Sequence, residues 1–327
     1  MRKILYNLQF FAEMNTNVTT SSGLTDEMKT YYSDYLIDNA IPKLVHDQFG
    51  QKHPIPKNGG KTIEFRKYSP LSKLTTPISE GVTPDGQTLD MSTVEATVAQ
   101  YGGYITMSDV LLLTAIDNNL VQATKLLGAQ AGSTLDTITR EVLNGGTNVI
   151  YSGGKEGRTA LDDTCLLTVD DIKKAVRSLK NQNAEQINGS WVGIIHPDVA
   201  YDLTNDPLWK DVKTYSDPAD MYEGEIGKLF GVRFVETTEA KIWAKAGNGS
   251  RAVYSTLILG DNAYGVTEIT GGGLEHIVKQ LGSAGTGDPL NQRATAGWKA
   301  TKVAERLVEN YMVRIESAST FNPAENN

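Results

Sequence analysis

Gly60-Lys61-Thr62 is the first place where residue types and order suggest chemistry, because a glycine followed by lysine and threonine can close a loop that cradles phosphates. That loop needs a second glycine five places before Gly60, and Ile55 stands there. The triplet also opens an alternating segment, so Gly60 reads as a turn before a strand. The glycines at 271 to 273 and at 282 to 287 lack both the spacing and the strand-to-helix setting of a dinucleotide fingerprint. His46, His53, His196 and His276 never recur at the i, i+4 spacing that puts two ligands on one helical face, and none neighbours the single cysteine, Cys165. No metal, cofactor or disulfide is expected. His196, two residues before Asp198, has two readings: a general base held in one tautomer by a carboxylate, or a cap on a helix that starts at Pro197. Capping is the expected one. There is no Gly-x-Ser-x-Gly elbow, and Cys165 beside Leu166 and Leu167 reads as a small buried hydrophobe, so no catalytic residue is expected. The acid pairs Asp162-Asp163 and Asp170-Asp171 precede or open a helix, where carboxylates favour the positive end of the dipole. Trp191, Trp209, Trp243 and Trp298 are dispersed, unlike the aromatic platforms that stack single strands. Trp298, followed by Lys299 on an alternating run, is the tryptophan placed at a contact.

Composition narrows the classes further. With 327 residues and 39% apolar content the chain can bury about two compact cores at roughly 150 residues each. Its 31 basic residues against 39 acidic ones give a net charge of −8, which argues against a nonspecific grip on nucleic-acid phosphates. The longest apolar runs, such as Val110 to Leu113, fall far short of the about 18 residues of a membrane span. The opening MRKILYNLQFFAE mimics an export signal, but Asn7 and Gln9 interrupt its apolar patch and Glu13 stands where small residues belong, so an arm is expected.

The elements that would position these residues follow from periodicity. KTIEFRK at 61 to 67 alternates, with Ile63 and Phe65 on one side, and a second alternating run from Thr93 to Thr106 places Val94, Ala96 and Val98 together. Between them Ser69 to Asp90 is studded with proline and glycine, which predicts a protruding two-stranded ribbon that is marginal alone. Such a ribbon needs something to lie on. Leu127, Ala131, Leu135, Ile138 and Val142 recur at helical steps within Asp117 to Leu143, with Asn144-Gly145-Gly146 as the stop. That spine would be near 40 Å long at about 1.5 Å per residue. From Thr168 the texture is mixed α/β: a capped helix, the strand WVGII at 191 to 195, a short helix after His196, a short helix around Glu225 to Phe230, and strands at 231 to 237, 254 to 260 and 264 to 269. Ala294 to Leu307 and Tyr311 to Ile315 read as strands.

An arm, a ribbon, a spine and a mixed domain leave more surface than one chain can cover. The chain resembles the major capsid proteins of tailed bacteriophages, of the Hong Kong 97-type fold, in the coat-protein branch of podovirus-like phages. NLQFFAE at 7 to 13, GKTIEFRKYSPL at 60 to 71 with Glu80-Gly81, and IHPDVAYDLTNDPLW at 195 to 209 carry the resemblance. So do GEIGKLFGVRFVETTEA at 224 to 240, DPLNQRATAGWKA at 288 to 300 and YMVRIE at 311 to 316. It implies an α+β fold divided into an N-terminal arm (1–60), an extended β-ribbon loop (61–107), a peripheral domain with the spine helix (108–167), an axial domain (168–290) and a C-terminal return to the peripheral domain (291–327). It also implies a non-enzymatic protein that self-assembles as hexamers and pentamers into an icosahedral virion shell around double-stranded DNA, which it would hold without sequence-specific binding. Portal and scaffolding proteins would be partners, no membrane would be involved, and assembly would occur in the bacterial host cytoplasm. Contacts between copies are expected at Ile63, Phe65, Val94, Val98 and Trp298, and the ribbon residues Ile63, Phe65, Val94 and Val98 would gain burial only on assembly. Two other readings stay open: a soluble α/β enzyme whose long loop is a lid, and a cellular encapsulating shell of the same fold.

Overall fold

The computed structural model describes residues 16–17, 45–54, 62–68, 71–78, 80–81, 83, 85–114, 119–209, 227–267, 274–283 and 287–327. Most of the expected arm at 1–60 falls outside the described residues, and so does the motif at 7 to 13.

In chain order the strands begin with β1 (Thr16–Asn17), β2 (Gln51–His53), β3 (Thr62–Tyr68), β4 (Met91–Thr97) and β5 (Ala99–Ser108). Helices α1 (Asp109–Thr114) and α2 (Asn119–Asn144) follow, then β6 (Val149–Tyr151), α3 (Val169–Asn181), β7 (Trp191–Ile195) and α4 (Pro197–Asn205). The remainder is β8 (Lys228–Leu229), β9 (Val232–Glu236), β10 (Ile242–Trp243), β11 (Val253–Leu259), β12 (Tyr264–Thr267), β13 (Leu274–Lys279), β14 (Arg293–Lys302), β15 (Ala304–Arg306) and β16 (Met312–Ser317).

The chain forms two compact units, one of Met1–Lys43, Gln100–Gly132 and Leu274–Ala300, the other of Leu44–Ala99, Ser133–Gly273 and Thr301–Asn327. The first holds most of a sheet ordered β1-β5-β14-β13. On one side of it Met107 and Leu111 pack with Ala123 of α2. The second is built on the sheet β6-β16-β11-β7-β9-β8, with β10 paired to β11. Strand β7 is buried along its whole length, as WVGII without alternation requires of a central strand. Helix α3 lays Val169, Ile172, Ala175, Val176 and Leu179 into the core beneath it. Its start is a reciprocal capping box: the Thr168 side chain accepts from the Asp171 amide and the Asp171 carboxylate accepts from the Thr168 backbone.

One expectation needs correction, and two further strands come to light. Residues 228 to 231 form a hairpin in place of the last part of a helix, because Phe230 (φ 50°) and Gly231 (φ 85°) both adopt the left-handed region that a two-residue hairpin turn demands. Strand β6, for which no expectation was made, pairs parallel with β16. Between the glycine runs at 271 to 273 and 282 to 287 lies a strand, β13, paired antiparallel to β14.

Candidate functional site

The ribbon is where sequence and structure meet most closely. Strands β3 and β4 pair antiparallel with Ile63 opposite Ala96 and Phe65 opposite Val94 on one face. On the other face Glu64 stands directly opposite Glu95, both exposed, and like charges so placed weaken a strand pair. The inner face must therefore supply the stability. Ile63, Phe65 and Ala96 are buried, and Val94, Val98, Val303 and Leu307 pack against them. The Phe65 ring lies over Gly265 of β12, where a Cβ would overlap it, and meets the His53 ring edge-on at 4.8 Å. Ile63 and Phe65 are thus buried within one chain, which corrects the expectation that their burial waits on assembly. Val94 and Val98 remain half-buried.

The root of the ribbon is fixed by a buried polar network that periodicity could not reveal. His46 donates its backbone N–H to one Asp136 oxygen at 2.7 Å, and its ring Nδ1 lies 2.6 Å from the other. The His46 carbonyl accepts from the Tyr264 hydroxyl. Asp47 accepts from Thr139 Oγ1 at 2.5 Å and pairs with Lys302, whose side chain is fully buried. Burial, reinforced by the Asp47 carboxylate, pushes the Tyr264 phenol far up and keeps it a donor. Glycine at position 50 lets the chain pass the Tyr264 ring, since any Cβ there would collide with it.

Between the two strands the chain is open to water. Leu71 (58% exposed), Leu74 (75%), Ile78 (73%), Leu89 (67%) and Met91 (49%) present apolar side chains, and Gln87 Nε2 donating to the Ser72 carbonyl at 2.9 Å ties the two limbs together. A run of large exposed hydrophobics on one protrusion marks a contact surface. The sequence reading named none of these residues. Their signal is that five large apolar side chains recur in a stretch whose prolines and glycines build no core.

Trp298 is buried, and its indole N–H donates to Gln130 Oε1 at 3.2 Å. Its ring faces α2 within its own unit, not an open surface. The His196–Asp198 pair resolves as a cap: His196 Nδ1 accepts the Asp198 backbone N–H at 3.1 Å, and Asp198 Oδ2 accepts the Tyr254 hydroxyl at 2.7 Å. Burial holds the His196 ring below its usual range against the opposing pull of Asp198, and a nitrogen already capping a helix is not free to take a substrate proton. Cys165 is buried beside Leu161 and Val253. Asp162 serves its own turn and not α3: it accepts from the Thr164 hydroxyl and amide and pairs with Lys155 at 2.9 Å, bonds that hold its carboxyl below the ordinary carboxylate range. Among the described residues no group of three or more histidines, cysteines or acids could hold a metal ion.

A family model described as phage capsid protein matches residues 113–279. No curated protein sequence matches the chain. Among solved structures, the capsid of Ralstonia phage GP4 is similar over 98% of this chain and 100% of its own, with a TM-score of 0.70 at 14% identity. The cyanophage Pam1 capsid asymmetric unit is similar over 95% of this chain and 100% of its own (TM-score 0.64, 14% identity). A virus-like particle from Pyrococcus furiosus is similar over 86% of this chain and 96% of its own (TM-score 0.50, 10% identity). Identities this low speak for the fold, and the fold shared is the Hong Kong 97-type.

Proposed function

The chain belongs to the phage capsid protein family, and from that premise we propose that it forms an icosahedral shell of hexamers and pentamers around the double-stranded DNA of a tailed phage, assembled in the cytoplasm of the bacterial host. As a family member it is a structural protein of the virion shell. Portal and scaffolding proteins would complete the assembly. Residues 61–107 would serve as the extended loop that reaches a neighbouring copy, residues 168–290 as the axial domain, and 108–167 with 291–327 as the peripheral domain, behind an arm at 1–60.

One observation carries this reading: the ribbon's base is locked into its own chain while its far end holds Leu71, Leu74, Ile78, Leu89 and Met91 in water. Covering a large apolar side chain contributes roughly 1.5 to 3 kcal/mol, so five of them favour association strongly. Contacts with a neighbour would fall on this end and on the half-buried Val94 and Val98, with Ile63 and Phe65 supporting from beneath. The net charge of −8 also suits a container that holds DNA without gripping it.

A second reading is a cellular encapsulating shell, since a virus-like particle from Pyrococcus furiosus is built on a similar fold. Electron micrographs of the expressed protein test both. Closed particles are expected, and protein that stays monomeric at high concentration overturns both readings. Particles purified from infected cells should contain duplex DNA; protein cargo without DNA selects the second.

A further inference from the structure

We propose that residues 322–327 form a clasp whose asparagine side chains stand in for a neighbouring strand along the outer edge of β10, closing that edge to strand addition by a second copy of the chain. The contact lies inside one compact unit and is independent of shell formation.

Among the described residues β10 pairs only with β11, with Ile242 opposite Tyr254 and Trp243 opposite Val253 in antiparallel register. Ser255 donates its amide to the Lys241 carbonyl at 2.9 Å, so residues 241 and 243 turn their backbone groups inwards and alternation turns those of Ile242 and Ala244 outwards. Outward groups of this kind are a template for another chain. Here they are occupied. Asn327 Oδ1 accepts from the Ile242 amide at 2.9 Å, and Asn326 Oδ1 accepts from the Ala244 amide at 2.7 Å. Asn327 Nδ2 donates to the carbonyls of Thr238 and Ala240. One side-chain amide thus takes the Ala240 carbonyl and the Ile242 amide together, the two groups that a residue of a parallel strand beside Lys241 would take. Further along, Asn322 Oδ1 accepts from the Ala252 amide at 2.8 Å.

The root of the clasp is fixed. Ala318 donates its amide to the Cys165 carbonyl, and the buried Asp202 accepts from the Ser319 hydroxyl at 2.6 Å and from the Thr320 amide and hydroxyl at 3.0 and 2.6 Å. Its end lies exposed, tied down by the asparagine amides and by the buried Arg140 of α2, which donates to the Asn327 main-chain oxygen at 3.0 Å. A true strand in this place would only move the open edge outwards by one position. Side-chain amides end the ladder instead. Pro323 lacks a backbone donor and Glu325 carries a charge, and both discourage a further strand from adding to the clasp itself.

Amide exchange in the full-length chain tests the clasp bond by bond. Asn327→Ala should speed exchange at Ile242, Asn326→Ala at Ala244 and Asn322→Ala at Ala252, each at least about tenfold, because an edge amide that loses its acceptor exchanges freely. The Ser255 amide, bonded to Lys241, should stay protected in all three and so reports an intact fold. Asn326→Asp keeps an acceptor and should keep the protection, whereas Asn327→Asp loses the donor to Thr238 and Ala240 and should not. Unchanged exchange at Ile242 and Ala244 in the alanine variants overturns the proposal. Closure against a second copy is read from concentration dependence. With residues 322–327 removed, exchange at Ile242 and Ala244 should be fast in dilute protein and slow at least about tenfold as concentration rises and one edge pairs with another. The full chain should show no such dependence at these amides. Should the deletion cost the Ser255 protection, the double variant Asn326→Ala, Asn327→Ala takes its place. Fast exchange at every concentration means that the edge recruits no copy and overturns the proposal. The same dependence in the full chain means that the clasp closes nothing and also overturns it.

Discussion

At the scale of single residues, the chain's unusual chemistry is structural. Lys302 is fully buried against Asp47, and the desolvation of both is offset only while they stay together with Thr139. Lys302→Met should therefore cost about 3 to 5 kcal/mol in denaturant unfolding, because it strands a buried carboxylate. Lys302→Met combined with Asp47→Asn should recover part of that loss. A Lys302→Met protein as stable as the parent would mean the pair contributes nothing. His196 makes a different prediction. Burial lowers its folded-state pKa, so the unfolded chain binds more protons between that value and about 6.5. Its contribution is present above pH 6.5 and is lost as pH falls through the folded value, where protonating Nδ1 also abolishes the cap on the Asp198 amide. His196→Asn keeps a capping oxygen and cannot titrate. Unfolding midpoints between pH 7 and 5, at one protein concentration, should then fall less steeply than for the parent. A residual slope is expected from His276, which burial shifts in the same direction. An identical slope in the variant would remove His196 from the account.

At the scale of elements, the ribbon is held by a fit between a ring and a missing methyl. Gly265→Ala should expel Phe65 from its seat on β12, at an overpacking cost of about 1 to 3 kcal/mol, and leave β3 open to trypsin at Arg66. Phe65→Ala should expose the same bond at about 3 to 5 kcal/mol through lost burial. If Arg66 resists cleavage in both, the ribbon is anchored elsewhere. The strands themselves were legible: Ile63 and Phe65 alternate with charged neighbours, and Thr168 with Asp171 announced the start of α3 down to its reciprocal hydrogen bonds. What they pack against was not. Gly265 lies 200 residues beyond Phe65, and Lys302 lies 255 residues beyond Asp47, distances over which no local pattern carries information. The hairpin at Lys228 was hidden because Phe230 occupies a left-handed position usually given to asparagine or glycine. Strand β13 was hidden because Ile277 faces outward and spoils the alternation of LEHIVK.

At the scale of the whole molecule, the division between a locked ribbon base and an open ribbon end separates folding from assembly. Leu74, Ile78 and Leu89 contribute little to the isolated chain, because each is at least 67% exposed. Replacing all three with serine should leave chemical unfolding of the chain within about 0.5 kcal/mol per site, the range of ordinary surface changes. The same triple variant should fail to build shells. At the low end of about 1.5 kcal/mol per covered side chain, the loss approaches 4.5 kcal/mol per contact, or about three decades in association constant. Every copy in a closed shell repeats that contact, so the concentration needed for assembly should rise beyond reach, with free subunits replacing particles in sedimentation and in micrographs. Phe65→Ala makes the opposite combination, a weakened chain with its apolar end intact, and its particles should reappear when the fold is stabilised by lower temperature. Normal shells from the triple serine variant would show that the exposed end of the ribbon is not what joins the copies, and the search for the joint would move to Val94 and Val98.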